Sequence, residues 1–242
     1  MKGFLLMLSF FTRLPVRYTH EFRQEDFIRG IKYTPAVGVI LGMIMWGAYK
    51  SLLWMDAPVM SVLLVLAYIW LTGGLHIDGL SDTCDGIFSS RSRERALEIM
   101  KDSRVGAFGV IAIITIVAVY LILCCYIGDA IFLMPVIGRC CGVISCIRGK
   151  YVREDGMGKA FVENCGPLEI GIAAIVPLAL GLYFYGWPVA IAVLASFGFT
   201  LAQTAWMRSK LGGTTGDTIG FSIETSQAFF LFAAYSAGML TM

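Results

Sequence analysis

Ala107-Phe108-Gly109-Val110-Ile111-Ala112-Ile113-Ile114-Thr115-Ile116-Val117-Ala118-Val119-Tyr120-Leu121-Ile122-Leu123-Cys124-Cys125 carries no charge and no proline, and its reading decides which solvent this chain folds in. A helix of this length rises about 1.5 Å per residue and nearly crosses the roughly 30 Å hydrocarbon core of a bilayer. The run lacks the alternation of a closed barrel, and an open strand would leave its amides unpaired in lipid. Similar apolar stretches recur outward from it, near 35–55, 57–75, 129–147, 168–186, 188–206 and 226–242, with the quoted run inside 106–127. The expected fold is an all-α integral membrane protein, a polytopic bundle of about 6–7 transmembrane helices forming one domain over 1–242. Gly128-Asp129 and Gly186-Trp187-Pro188 read as tight turns between antiparallel helices. The opening run from Gly3 to Phe11 is too short to span, and Thr12-Arg13-Leu14-Pro15 offers no cleavage site. That predicts an N-terminal interfacial helix.

Composition agrees. The chain is 57% hydrophobic and 15% charged, against about 45–50% and 25% in soluble domains, and its mean hydropathy is +0.75. A net charge of +2 without a basic, aromatic-interleaved run excludes a nucleic-acid partner. The seven cysteines are odd in number and form no CxxC pair, so they read as small apolar packing residues.

Threading the helices back and forth puts residues 1–34, 76–105, 148–167 and 207–225 on one side, with 17 of the 19 Lys and Arg residues. The exceptions are Lys50 and Arg139. The positive-inside rule makes that side cytoplasmic and predicts a multi-pass protein of the inner membrane with its chemistry on the cytoplasmic face. Lys50 is able to snorkel from a helix end, whereas Arg139 lies inside an apolar segment and needs a partner or a polar cavity.

The candidate chemistry begins where the second apolar segment ends. In Leu75-His76-Ile77-Asp78-Gly79-Leu80-Ser81-Asp82-Thr83-Cys84-Asp85-Gly86, the spacing of Asp78, Asp82 and Asp85 puts three carboxylates on one face if the stretch is helical. At roughly 6 Å and an effective dielectric of about 20, each pair repels by about 3 kcal/mol. A hard divalent cation, Mg²⁺ or Mn²⁺, compensates this, so the three aspartates are candidate metal ligands. A solvated acidic face is the alternative. Gly79 and Gly86 are expected to let backbone approach a bulky ligand. His76 is a candidate shuttle or ligand, although a histidine tucked at a helix end is commoner.

Downstream, Arg91, Arg93 and Arg95 precede Glu98, Lys101, Asp102 and Arg104. Acids for a metal beside bases for phosphate oxygens suit phosphoryl or nucleotidyl transfer, but ordinary surface salt bridges make the same pattern. The third element, Gly212-Gly213-Thr214-Thr215-Gly216-Asp217-Thr218, lacks P-loop spacing. It is either a phosphate cradle or a flexible turn, with Asp217 and Glu224 seven residues apart and able to face one site.

Four blocks carry a resemblance: Phe11-Thr12-Arg13-Leu14-Pro15-Val16, the run from Thr72 to Gly86, Leu97-Glu98-Ile99-Met100-Lys101-Asp102-Ser103-Arg104-Val105-Gly106, and Gly212 to Thr218. Together they resemble the cobalamin synthase family, the adenosylcobinamide-GDP ribazoletransferases. The resemblance implies a Mg²⁺-dependent membrane transferase of cobalamin biosynthesis. Such an enzyme joins adenosylcobinamide-GDP to α-ribazole or its 5′-phosphate and releases GMP. It further implies metal and diphosphate binding at Asp78, Asp82 and Asp85, with Glu98 or Asp102 as a further ligand or base. Lys101, Arg91 and Arg104 become countercharges, with His76, Asp217 and Glu224 on the substrate side. The lipid bilayer is the partner, and a homo-oligomer is compatible with the sequence. Asp82-Thr83-Cys84-Asp85-Gly86 also looks like the start of a CDP-alcohol phosphotransferase motif, but the interval to Glu98 and Asp102 is too short and an Ala-Arg pair is missing. A transporter is the non-enzyme alternative, favoured by Arg139 alone.

Overall fold

The computed structural model describes residues 2–16, 18 and 21–238. The final residues of the apolar stretch 226–242 therefore lie outside the described residues. Among the described residues every regular element is a helix: α1 (Lys2–Phe11), α2 (Gln24–Gly30), α3 (Thr34–Ser51), α4 (Ala57–Thr72), α5 (Leu75–Phe88), α6 (Arg93–Ile99), α7 (Ala107–Leu123), α8 (Leu133–Ile144), α9 (Met157–Asn164), α10 (Pro167–Tyr185), α11 (Trp187–Leu211) and α12 (Gly216–Ser236), with short 3₁₀ turns at Ile31–Tyr33 and Gly128–Phe132. Helix starts follow local chemistry. Proline occupies the first turn of α3, α4, α10 and α11, where no amide partner is lost. Gly186, at φ 77°, makes the expected turn from α10 into α11.

Among the described residues three helical runs are long and apolar enough to cross a membrane, Gln24–Ser51, Pro167–Tyr185 and Trp187–Leu211, and a fourth exists only if α4 and α5 count as one span despite an 89° bend. The apolar helices, with Ile111, Ile114, Ile175, Ile191 and Phe232 exposed, mark a membrane protein. The expected six or seven spans are not reached on this test. The stretch at 129–147 is divided between a 3₁₀ turn and α8, whose 12 residues are all buried. At about 1.5 Å per residue α8 is too short to span; it is instead a core helix wrapped by protein. α12 carries Asp217, Glu224 and Gln227 and so fails on polarity rather than length.

Two Gly-x-x-x-Gly pairs let α8 approach its neighbours closely. A Cβ on Gly38 of α3 would lie 2.9 Å from the Val136 Cα, and one on Gly142 of α8 would lie 2.8 Å from Ile223 of α12. The bend between α4 and α5 comes from consecutive left-handed glycines, Gly73 (φ 67°) and Gly74 (φ 73°). α5 then packs against the first turns of α7 and α12, and we read it as lying outside the spanning segments. α1 is helical as expected, packing Gly3 and Met7 on Gly30 of α2.

Candidate active site

Asp78, Asp82 and Asp85 do fall on one helix, α5, but their surroundings differ. Asp85 is buried, and its oxygens accept the amide N–H groups of Gly106 (2.7 Å) and Gly109 (2.9 Å). It thereby satisfies orphan donors at the N-terminus of α7. Asp82 is half-buried and Asp78 exposed. Burial, together with the charges of Asp78, Asp217 and Asp85, pushes the Asp82 carboxyl up to about 7, with Arg153 opposing. Asp217 is raised by burial and restrained by Arg153.

Asp217 reaches this cluster because α5 and α12 touch backbone to backbone. A Cβ on Gly79 would sit 2.9 Å from the Asp217 carbonyl oxygen, and one on Gly220 would sit 3.1 Å from that of His76. Gly86 likewise makes room for Met100, whose sulfur would lie 2.9 Å from an added Cβ. The space beside Gly86 is thus filled by protein and serves helix packing, whereas Gly79 both packs on α12 and borders the cleft.

The junction opens into a cleft of about 250 Å³ lined by Phe10, Phe11, Phe27, Phe161 and Ile219 on its apolar side and by His76, Asp78, Arg153, Asp155 and Asp217 on its polar side. The segment around Tyr151 closes it, pinned to the Gly212–Thr218 element by Thr214 N–H donating to the Lys150 carbonyl (2.8 Å) and Val152 N–H donating to that of Thr214 (3.2 Å). That element is not a flexible turn. Thr214, Thr215 and Thr218 are buried, and the Thr215 and Thr218 hydroxyls cap α12. Arg153 donates to the Asp217 carboxylate and to the Met100 carbonyl (3.3 Å). As a sequence feature Arg153 was merely one positive charge in a loop. Nothing in its spacing linked it to the aspartates.

The other sequence candidates lie elsewhere. Glu98 is exposed and accepts from Arg95 (2.7 Å). Asp102 accepts from Arg104 (2.6 Å), whose hydrogen bonds hold its carboxyl down at about 2. Arg91 and Lys101 are exposed, and none of these residues lines the cleft. Glu224 is fully buried behind His76, accepting from Tyr68 (2.8 Å) and Tyr120 (2.7 Å). Arg139 meets its need for a partner in that cluster only in part: Nη1 donates to Tyr68 (3.3 Å) and Gln227 (3.4 Å), while Nε and Nη2 are buried without a partner. The His76 ring stacks on Phe11 with centroids 5.5 Å apart, and its Nδ1 lies 3.9 Å from Glu224.

Among the described residues no three His, Cys, Asp or Glu side chains form a ready-made metal cage. Mg²⁺ is commonly held by one or two carboxylates completed by water and substrate phosphate. The donor chemistry of Asp78 and Asp82 fits that mode.

These features define a helical membrane protein whose core supports an acid-lined cleft with one arginine among the acids. The chain belongs to the cobalamin-5-phosphate synthase family, whose model matches residues 3–235. It is 41% identical to the adenosylcobinamide-GDP ribazoletransferase of Alkaliphilus oremlandii, covering 97% of both chains. It is 40% identical to that of Acetivibrio thermocellus (97% of this chain, 98% of the relative) and 38% identical to that of Clostridium acetobutylicum (96% and 95%). No solved structure matches the chain. Family membership over nearly the whole length decides against the CDP-alcohol phosphotransferase and transporter alternatives.

Proposed function

We propose that this protein joins adenosylcobinamide-GDP to α-ribazole or its 5′-phosphate, forming adenosylcobalamin or its 5′-phosphate and releasing GMP. The observation that carries this reading is the meeting of Asp78, Asp217 and Arg153 at one cleft, with Asp82 close enough to feel their charges, in a chain of this family. In the reaction a ribose hydroxyl oxygen bonds to the phosphorus that bears the cobinamide. The bond from that phosphorus to the bridging oxygen breaks, and GMP leaves with the oxygen. The hydroxyl proton passes to a carboxylate. Asp217 suits that role, because it lines the cleft and burial raises its basicity. Mg²⁺, when bound, neutralises charge developing on the diphosphate. Asp78 and Asp82 would hold it, and Asp85 keeps free lone pairs for a third contact while it anchors α7.

Glu98 and Asp102, tied to Arg95 and Arg104, are better suited to the surface around the cleft than to the metal. At about 250 Å³ the cleft admits the reacting phosphates and one neighbouring group. It is smaller than the sites of roughly 300–1,000 Å³ that enclose a drug-sized ligand, so the corrin stays outside. We place the protein in the inner membrane as a multi-pass bundle of six or seven crossings, its cleft facing the cytoplasm, because the basic residues cluster beside it.

The test supplies purified protein in detergent with adenosylcobinamide-GDP, α-ribazole 5′-phosphate and Mg²⁺ and reads the corrin product by mass. Product should form with release of GMP, which depends on the acceptor. Release of CMP from CDP-diacylglycerol without any corrin product would overturn the assignment.

A further inference from the structure

The cleft poses an electrostatic problem. Asp78, Asp155 and Asp217 line it, and Asp82 stands close enough for its titration to feel Asp78 and Asp217. A diphosphate would be repelled by every one of them. Sequence reasoning assigned the countercharge to Arg91, Lys101 and Arg104, which lie outside the cleft. Among the described lining residues a single Lys or Arg is present, Arg153.

We infer that Arg153 is the residue that binds the donor's diphosphate, and that Asp217 holds its guanidinium in place until the substrate arrives. The inference rests on the proposed function and names a substrate contact within it. Three features support it. The Arg153 side chain is only 14% exposed, so its charge is poorly screened by water. Its Nη2 donates to the Asp217 carboxylate and the Met100 carbonyl, while Nε is buried without a partner. A buried, unused guanidinium donor costs free energy until something accepts from it. Finally, the planar fork of arginine grips two phosphate oxygens at once, whereas lysine offers a point charge. A diphosphate that takes the guanidinium also loosens Asp217, leaving that carboxylate free for the acceptor's hydroxyl.

The probe is GDP with Mg²⁺, titrated calorimetrically into the detergent-purified full chain, alongside steady-state kinetics. Arg153→Ala should weaken GDP binding by about tenfold or more and raise the donor KM in parallel, leaving the acceptor KM nearly unchanged. Arg153→Gln keeps a donor for Asp217 and Met100 but removes the charge. It should show the same loss even if the alanine variant fails to fold. Arg153→Lys should recover part of the affinity. Arg104→Ala, on the surface, should bind within about twofold of wild type. The inference falls if Arg153→Gln binds GDP as wild type does, or if donor and acceptor KM rise together as a loosened loop would make them. Wild-type protein that neither binds GDP nor makes the corrin product removes the proposed function and this inference together. Wild-type protein that does both beside an unaffected Arg153→Gln removes the inference alone.

Discussion

Away from the exposed ion pairs, two places among the described residues combine carboxylates with an arginine, and they are built oppositely. At the cleft, Asp78 and Asp217 line the wall with Asp82 near enough to feel both charges and Arg153 bonded to Asp217, and carboxylate oxygens are left uncommitted. In the core, Glu224 and Arg139 are both fully buried and linked through Tyr68, Tyr120 and Gln227. The first arrangement spends little of its hydrogen-bonding capacity on the fold and keeps the remainder for a ligand. The second commits its carboxylate to two tyrosine hydroxyls. It joins α4, α7, α8 and α12 beneath the floor of the cleft. The comparison teaches that residue type does not separate a site from its support. What separates them is whether the carboxylate oxygens have already found partners within the chain: those of Glu224 have, even though the Nε and Nη2 of Arg139 remain buried without one.

The sharpest way to break this contrast is to neutralise one member of each. Asp82→Asn should lower turnover by about a thousandfold or more if its carboxylate holds the metal as proposed, because that metal would stabilise the transition state, while the protein remains extractable and monodisperse. Turnover near wild type at limiting Mg²⁺ would remove Asp82 from the metal site. Glu224→Ala should act through stability instead. It leaves the buried Tyr68 hydroxyl without an acceptor, while Tyr120 keeps the residue 224 carbonyl, and removes the carboxylate of the cluster that holds Arg139, a loss on the order of 1–3 kcal/mol. The unfolding midpoint in detergent should fall by several degrees. If it is unmoved while kcat collapses, Glu224 belongs to the chemistry.

A subtler contrast lies in pH. The folded pKa of Asp82 is about 7 against an ordinary 3.8, so between those values the folded protein binds more protons than the unfolded chain. Stability in EDTA should therefore decline as pH rises through that window. Asp82→Asn should flatten the decline, and Mg²⁺ should oppose it by favouring the ionised carboxylate. An unfolding midpoint that rises over the same interval in EDTA would contradict the crowding of acids. The smallest effect is expected on the surface: Glu98→Gln and Asp102→Asn remove solvent-screened ion pairs that contribute little to stability. Each should leave kcat/KM within about threefold. A loss of a hundredfold in either would place that residue at the reacting groups during turnover.

How much of this was legible beforehand depended on how far along the chain each feature reaches. Asp78, Asp82 and Asp85 could be put on one helix because their spacing is a local property of 3.6 residues per turn. Their fates could not. Asp85 turns to the amides of Gly106 and Gly109, whose positions depend on where α7 begins. Arg139 announced itself as a buried charge needing a partner, but its partners lie 71 and 88 residues away. The stretch at 129–147 reads as a span for a related reason, since α8 is as apolar as a membrane helix and only packing shows that protein surrounds it.

The sequence by itself determined the lipid solvent, the helical class, the family and the acid-bearing α5. Each follows from composition, from short-range periodicity or from motifs contiguous in the chain. The tertiary structure decided which charges meet. Gly79 and Gly220 bring α5 against α12 and set Asp217 beside Asp78 and Asp82, the Tyr151–Thr214 pairing carries Arg153 into the cleft, and Glu224 lies out of a substrate's reach behind His76. The physical reason is that backbone periodicity orients side chains over a few turns of one helix, whereas meetings between helices depend on close packing along whole faces.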